Sequence, residues 1–343
     1  MGSPVISRVA TCRPVNAINT QQAAEWIAAR AGNARLVGAI AKGSRIERRN
    51  TAVGPAEIAR LGTIELRNDL YRELAPPLAV EVSKSVTRES HHHPISLVVA
   101  SSCTGYMVPG WDVDIVEQLC LSQDVVRLPL TQAGCSGGAL ALARAVDHVR
   151  LHPEASALAV SVELCSLAFH PDGAPDNLIA SLIFGDGAGA ALIEADTSSG
   201  LEVVASSSTL VPGSKDAIGF DLTNAGFYPR LALDLADVLV APTTTAVRAL
   251  LTTNGLCLGD LSFALLHPGG SRILDNLRTA LGLGESEMRW SYESLRSQGN
   301  TSSAAIFDVA ARYLADDQAP GGWGIIGAFG PGISIELLLV HRC

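Results

Sequence analysis

Cys135, His267 and Asn300 are the residues of this chain whose types and settings could do chemistry at a carbonyl. Cys135 stands in Gln-Ala-Gly-Cys-Ser-Gly-Gly. The apolar stretch 125–130 reads as a strand entering that glycine-rich bend, and Leu142, Val146 and Val149 follow at the spacing of a helix face. The pattern predicts Cys135 at a helix N-terminus, where partial positive charge and exposure at a sharp turn favour the thiolate. Gly134, Gly137 and Gly138 would allow the turn and leave space for a substrate carbonyl. An ordinary buried cysteine also fits this stretch.

His267 ends the apolar run 263–266 and precedes Pro268-Gly269-Gly270, so it is placed to project from a strand end. Asn300, in Gln298-Gly299-Asn300-Thr301-Ser302, is placed at a helix start. Taken singly, a capping or core His and a plain N-cap Asn explain both residues. Together with a Cys they form a set. A nucleophile needs a proton acceptor nearby, and an enolate needs neutral donors aimed at its oxygen. Carbon–carbon bond formation through decarboxylation suits such a set, because loss of CO2 generates the carbanion and only its charge needs stabilising.

The elements that must position these residues alternate between strand and helix. Strands are expected at 95–102, 157–162 and 189–193. After about residue 200 the pattern repeats, with a strand at 262–266, a bend, a helix from Ser271, and closing strands at 324–328 and 333–340. This predicts an α/β class with two halves, 1–200 carrying the Cys and 201–343 carrying the His and Asn, packed as one layered unit. The chain has 343 residues, 48% hydrophobic and 17% charged, which supplies ample core. A net charge of −9 argues against nucleic acid or an anionic membrane as partner. No apolar run of about 18 residues lacks breakers, and no secretory signal is evident. Seven cysteines without Cys-x-x-Cys pairing point to reduced thiols in a cytoplasm. The adjacent His91, His92 and His93 cannot all reach one ion, so they read as a surface turn and no metal site is expected.

Gly134-Cys135-x-x-Gly138, His267-Pro268-Gly269-Gly270, Gly299-Asn300-Thr301-Ser302-Ser303 and Phe329-Gly330-Pro331-Gly332 resemble motifs of the type III polyketide synthases, the chalcone-synthase-like family. Phe184-Gly185-Asp186-Gly187-Ala188-Gly189 resembles a further segment of that family. Order and spacing agree over residues 90–340, and the first 90 match loosely. The resemblance implies a duplicated, thiolase-like five-layer α-β-α-β-α fold, a homodimer, and a Cys-His-Asn triad below a pantetheine tunnel. Cys135 would hold the acyl starter as a thioester, and His267 would also keep it as a thiolate. His267 and Asn300 would promote malonyl decarboxylation and stabilise the enolate. Several rounds and a cyclisation to an α-pyrone or phenolic ring would follow, with coenzyme A thioesters as substrates and no permanently bound cofactor.

The same resemblance marks pocket residues. Phe184 would orient malonyl groups at the junction of tunnel and cavity. Pro229 stands where the family carries a second gating Phe, with Phe227 or Tyr228 as candidates to compensate. Phe220 would reduce the cavity. Cys165 and Ala168 resemble the bacterial branch, as does Cys103, and Ser302 would line the pocket beside Asn300. Val108 would belong to a loop reaching into the partner subunit's cavity. Arg35, Lys42, Arg45, Arg48 and Arg49 form a basic patch for the coenzyme A phosphates, with Arg272 and Gly269 at the tunnel mouth. The patch would equally dock an acidic acyl carrier protein. Three other readings stand beside this one: a single-round ketoacyl-acyl-carrier-protein synthase III-like enzyme, a ketosynthase joining two acyl chains into a pyrone, and an inactive partner subunit. In the first of these the residue after the His is typically Gln, not Pro268, and the intact triad argues against the last.

Overall fold

The computed structural model describes residues 2–88, 93–168, 172–195, 197, 199–232 and 234–342. His91 and His92 lie outside the described residues. The strands are β1 (Pro4–Cys12), β2 (Asn16–Asn19), β3 (Arg48–Thr51), β4 (Ile95–Ser101), β5 (Val126–Leu130), β6 (Ser156–Leu164), β7 (Asp186–Ala195), β8 (Leu201–Leu210), β9 (Ile218–Thr223), β10 (Gly226–Leu231), β11 (Leu261–Leu266), β12 (Gly322–Gly330) and β13 (Ser334–Arg342).

Nine strands form one mixed sheet in the order β11-β12-β13-β8-β1-β7-β6-β4-β5. Outward from its centre, β1–β7 and β7–β6 are antiparallel and β6–β4 is parallel. On the other side β8–β13 and β13–β12 are antiparallel and β12–β11 is parallel. The two arms therefore repeat one pairing pattern and join where β1 meets β8. β6 and β7 are buried along their whole length, which is why 157–162 and 189–193 read as unbroken apolar runs.

Side-chain alternation sets the layers. On β4, Leu97 and Val99 enter a core shared with helices Gly137–Leu151 and Ala305–Leu314, while Val98 and Ala100 enter another under helix Ile64–Thr87. On β11, Phe263 and Leu265 join the first core, and Ala264 and Leu266 face a third with helices Val240–Thr253 and Ser271–Leu281. Two central helices thus lie between the arms of the sheet with further helices outside, the five-layer α-β-α-β-α arrangement. The stretch Leu235–Thr253 has 19 residues and a mean hydropathy of 1.3, long and apolar enough to cross a membrane by length and composition. It holds Asp237, Pro242 and Arg248, and packs Leu239, Val247 and Leu251 into the third core.

Candidate active site

β5 runs into a single 3-10 turn, Gly134–Ser136, and helix Gly137–Leu151 continues from it. Gly134 has φ +54, and a Cβ there would meet Pro331 Cδ at 2.5 Å. The Phe329-Gly330-Pro331-Gly332 turn is thereby pressed against the turn that carries Cys135. A Cβ at Gly138 would lie 2.1 Å from the Ser303 carbonyl oxygen, and one at Gly137 2.3 Å from Ser101 Oγ. These two glycines allow the helix start to pack closely against Ser101 of β4 and against Ser303.

Cys135 Sγ lies 3.6 Å from Ser302 Oγ. The residue keeps some surface on a cavity, but its sulfur is densely surrounded. Burial pushes the thiol up to about 11 against the opposing bonds from Ser302 and Asn300, and the Glu163 charge adds to the rise. Burial thus opposes the thiolate that a helix N-terminus favours. His267 follows β11 with its backbone N–H on the Gly327 carbonyl at 2.7 Å. It is 2% exposed, and burial lowers its pKa to about 4. Its Nδ1 has no hydrogen-bond partner among the described residues. Burial thus acts on both groups in the direction of the neutral form.

Asn300 stands one residue before Thr301, which caps a 3-10 turn. Its Oδ1 accepts from the Ser302 N–H at 2.8 Å, opening the 3-10 turn Ser302–Ala304 and then helix Ala305–Leu314. Its Nδ2 donates to the Gly269 carbonyl at 3.4 Å, two residues beyond His267. A parallel bridge joins Asn300 to Phe184, with Gly185 N–H on the Asn300 carbonyl at 3.0 Å and Asn300 N–H on the Ile183 carbonyl at 2.9 Å. Phe184 sits between helix Pro175–Ile183 and β7.

Glu163 escaped the sequence reading. It is fully buried, and it accepts from the Cys103 backbone N–H at 3.1 Å, Thr104 Oγ1 at 2.9 Å and Ser303 Oγ at 2.5 Å. Cys103 Sγ lies 3.4 Å from its Oε1 and 3.5 Å from Ser302 Oγ. Burial raises the pKa of Glu163 despite these bonds. The available signal was a carboxylate ending the apolar run 156–162.

Cys103, Cys165, Ala168, Phe184, Phe220, Pro229 and Ser302 all line the cavity beside Cys135. The hairpin β9–β10, which the sequence reading did not anticipate, brings Phe220 directly opposite Pro229. Phe227, also in the lining, meets Phe220 edge-on at 4.8 Å between ring centroids. Val108 is 76% exposed and is not in this lining. Arg35, Lys42, Arg45 and Arg48 are exposed, as is Arg272. Arg45 pairs with Asp275 at 2.9 Å, and Arg272 with Asp237 at 2.5 Å. Arg49 does not belong to that patch. Alternation along β3 turns it inward, where it is 2% exposed and donates to the Leu182 carbonyl.

Residues 55–197 match the family described as chalcone and stilbene synthases, N-terminal domain, and residues 202–343 match the C-terminal domain of the same family. The chain is 32% identical over 309 residues to a putative chalcone synthase of Bacillus subtilis (strain 168), covering 84% of each protein. It is 32% identical over 355 residues to the alpha-pyrone synthesis polyketide synthase-like Pks18 of Mycobacterium tuberculosis, covering 98% of this chain and 90% of that one. The crystal structure of 1,3,6,8-tetrahydroxynaphthalene synthase from Streptomyces coelicolor A3(2), a bacterial type III polyketide synthase, superposes with a TM-score of 0.91 at 27% identity, covering 98% of both chains.

Proposed function

Since the chain belongs to the chalcone and stilbene synthase family, and is thus a type III polyketide synthase, we propose that Cys135 takes an acyl starter from coenzyme A while His267 and Asn300 hold the malonyl thioester. As the Cys135 sulfur attacks the starter carbonyl, the thiol proton ends on the departing coenzyme A sulfur. Malonyl-CoA then loses CO2. The enolate oxygen receives hydrogen bonds from the neutral His267 ring and the Asn300 amide, and the enolate carbon attacks the Cys135 thioester, expelling the sulfur. Neutral donors suit this step, because a charge develops on oxygen only in the transition state and intermediate. The observation that supports the reading is the Cys135 thiol beside the neutral Ser302 and Asn300 side chains at the wall of a largely apolar cavity.

Phe220 and its edge-on partner Phe227 limit that cavity, which favours few extensions and closure as an α-pyrone or phenolic ring. Arg35, Lys42, Arg45, Arg48 and Arg272 would meet the coenzyme A phosphates, with the Gly269 backbone at the thioester, and the same patch would serve an acyl carrier protein. Val108, with Tyr106 beside it 69% exposed, would complete the cavity of a second copy in a homodimer. The enzyme would act in the cytoplasm on acyl-CoA and malonyl-CoA, holding no cofactor permanently.

Radiolabelled malonyl-CoA with a panel of acyl-CoA starters tests this. Cys135→Ala should abolish product. Asn300→Ala should reduce CO2 release more than acylation of Cys135, and loading that fell first would reverse the assigned roles. Absence of both CO2 release and Cys135 acylation in the unaltered protein would refute the function.

A further inference from the structure

Among the described residues, Arg49 is a buried cation without a counter-ion. Its Nη1 donates to the Leu182 carbonyl, and its Nη2 has no partner among the described residues. Burial alone draws its pKa down, to about 10, with no carboxylate acting on it, so it stays protonated at neutral pH. Burying an unpaired charge is strongly unfavourable unless an anion completes it. Arg49 lines a partly open pocket. Ile18, Ile27 and Ile58 give this pocket aliphatic walls, and Trp26 and Phe184 add rings. Thr51, a second polar residue in the lining, is 7% exposed and its Oγ1 is also unpartnered. The pocket shares Phe184 and Cys165 with the cavity beside Cys135 but contains none of Cys135, Ser302 or Phe220.

We propose that this pocket binds a carboxylate with an apolar body, Arg49 receiving the carboxylate and the aliphatic and aromatic walls enclosing the rest. Charge-assisted bonds from a guanidinium to a carboxylate are the strong kind, and the Thr51 hydroxyl supplies a further donor. The site holds none of the triad and adjoins the Cys135 cavity through the shared walls Phe184 and Cys165.

Calorimetric titration with 2-naphthoate, and with 2-naphthalenemethanol as its uncharged counterpart, tests the proposal. The intact protein should bind the acid at least about tenfold more tightly than the alcohol, at one site per chain. Prior alkylation of Cys135 should leave that binding unchanged. Arg49→Gln should erase the preference for the acid, and Arg49→Lys should keep part of it. Should Arg49→Gln fail to fold, Ala23→Leu, which fills the apolar wall, should weaken acid and alcohol alike. Equal binding of acid and alcohol by the intact protein, or binding of neither, overturns the proposal. So does coenzyme A that displaces the acid and loses its own affinity in Arg49→Gln, which would return Arg49 to the coenzyme A site.

Discussion

Ser302→Ala isolates the bond that most opposes burial at the nucleophile. The Cys135 thiol stands at about 11, and the Ser302 hydroxyl, 3.6 Å away, is the largest influence lowering it. A hydrogen bond to a charged group is worth about 1.5–3 kcal/mol, and a contact this long belongs at the low end. One pKa unit corresponds to about 1.4 kcal/mol, so losing the bond raises the thiol by roughly one unit. At pH 8 the thiolate fraction then falls about tenfold. A more basic thiolate is also more nucleophilic, with a Brønsted slope of about 0.4–0.5, which leaves alkylation about three- to fourfold slower. Iodoacetamide labelling followed by peptide-resolved mass spectrometry between about pH 7 and 10 measures this site apart from Cys103, with Cys135→Ala as blank. In the unaltered protein the rate should climb throughout that range. A plateau below about pH 9 would mean that the helix terminus or His267 ionises the thiol after all. Unchanged or faster labelling in Ser302→Ala would refute the assignment of the bond.

His267 titrates at about 4 in the folded protein against an ordinary 6.5. Its folded pKa is depressed, so its contribution to stability is complete above 6.5 and is lost as pH falls through 4, amounting to about 3 kcal/mol. Urea denaturation at pH 7 and at pH 4 should show the unaltered protein losing about that much more than His267→Gln. Asp186, raised from 3.8 to about 7, acts in the opposite direction across this window, but it is common to both proteins and cancels in the difference. Gly138→Ala places a methyl 2.1 Å from the Ser303 carbonyl oxygen, and thermal unfolding should show a loss of at least about 2 kcal/mol. Phe220→Ala removes a ring from the cavity wall and from its contact with Phe227, so product mass spectrometry should show longer chains or bulkier starters. An unchanged product spectrum would remove Phe220 from the control of chain length.

The local scaffold of the site is legible in the order of residues. An apolar run, glycines at 134, 137 and 138, and Leu142, Val146 and Val149 at helical spacing define a strand, a turn and a helix, because steric and periodic constraints act between near neighbours. His267 before Pro268-Gly269-Gly270 and Asn300 before a helix start are local in the same sense. The N-terminal strand β1 and the hairpin β9–β10 were less legible. β9 is partly exposed and lacks a continuous apolar run, and β1 takes its place from the register it shares with β7. The sequence by itself therefore determined the α/β class, the three chemical groups and their seats at element ends. Only the tertiary structure decided their surroundings. Burial pushes the Cys135 thiol up and the His267 ring down because desolvation sums over every element packed around them. Likewise Arg49, one position from the exposed Arg48, became a buried cation because the face that a strand residue presents acquires its surroundings only when the layers close over it.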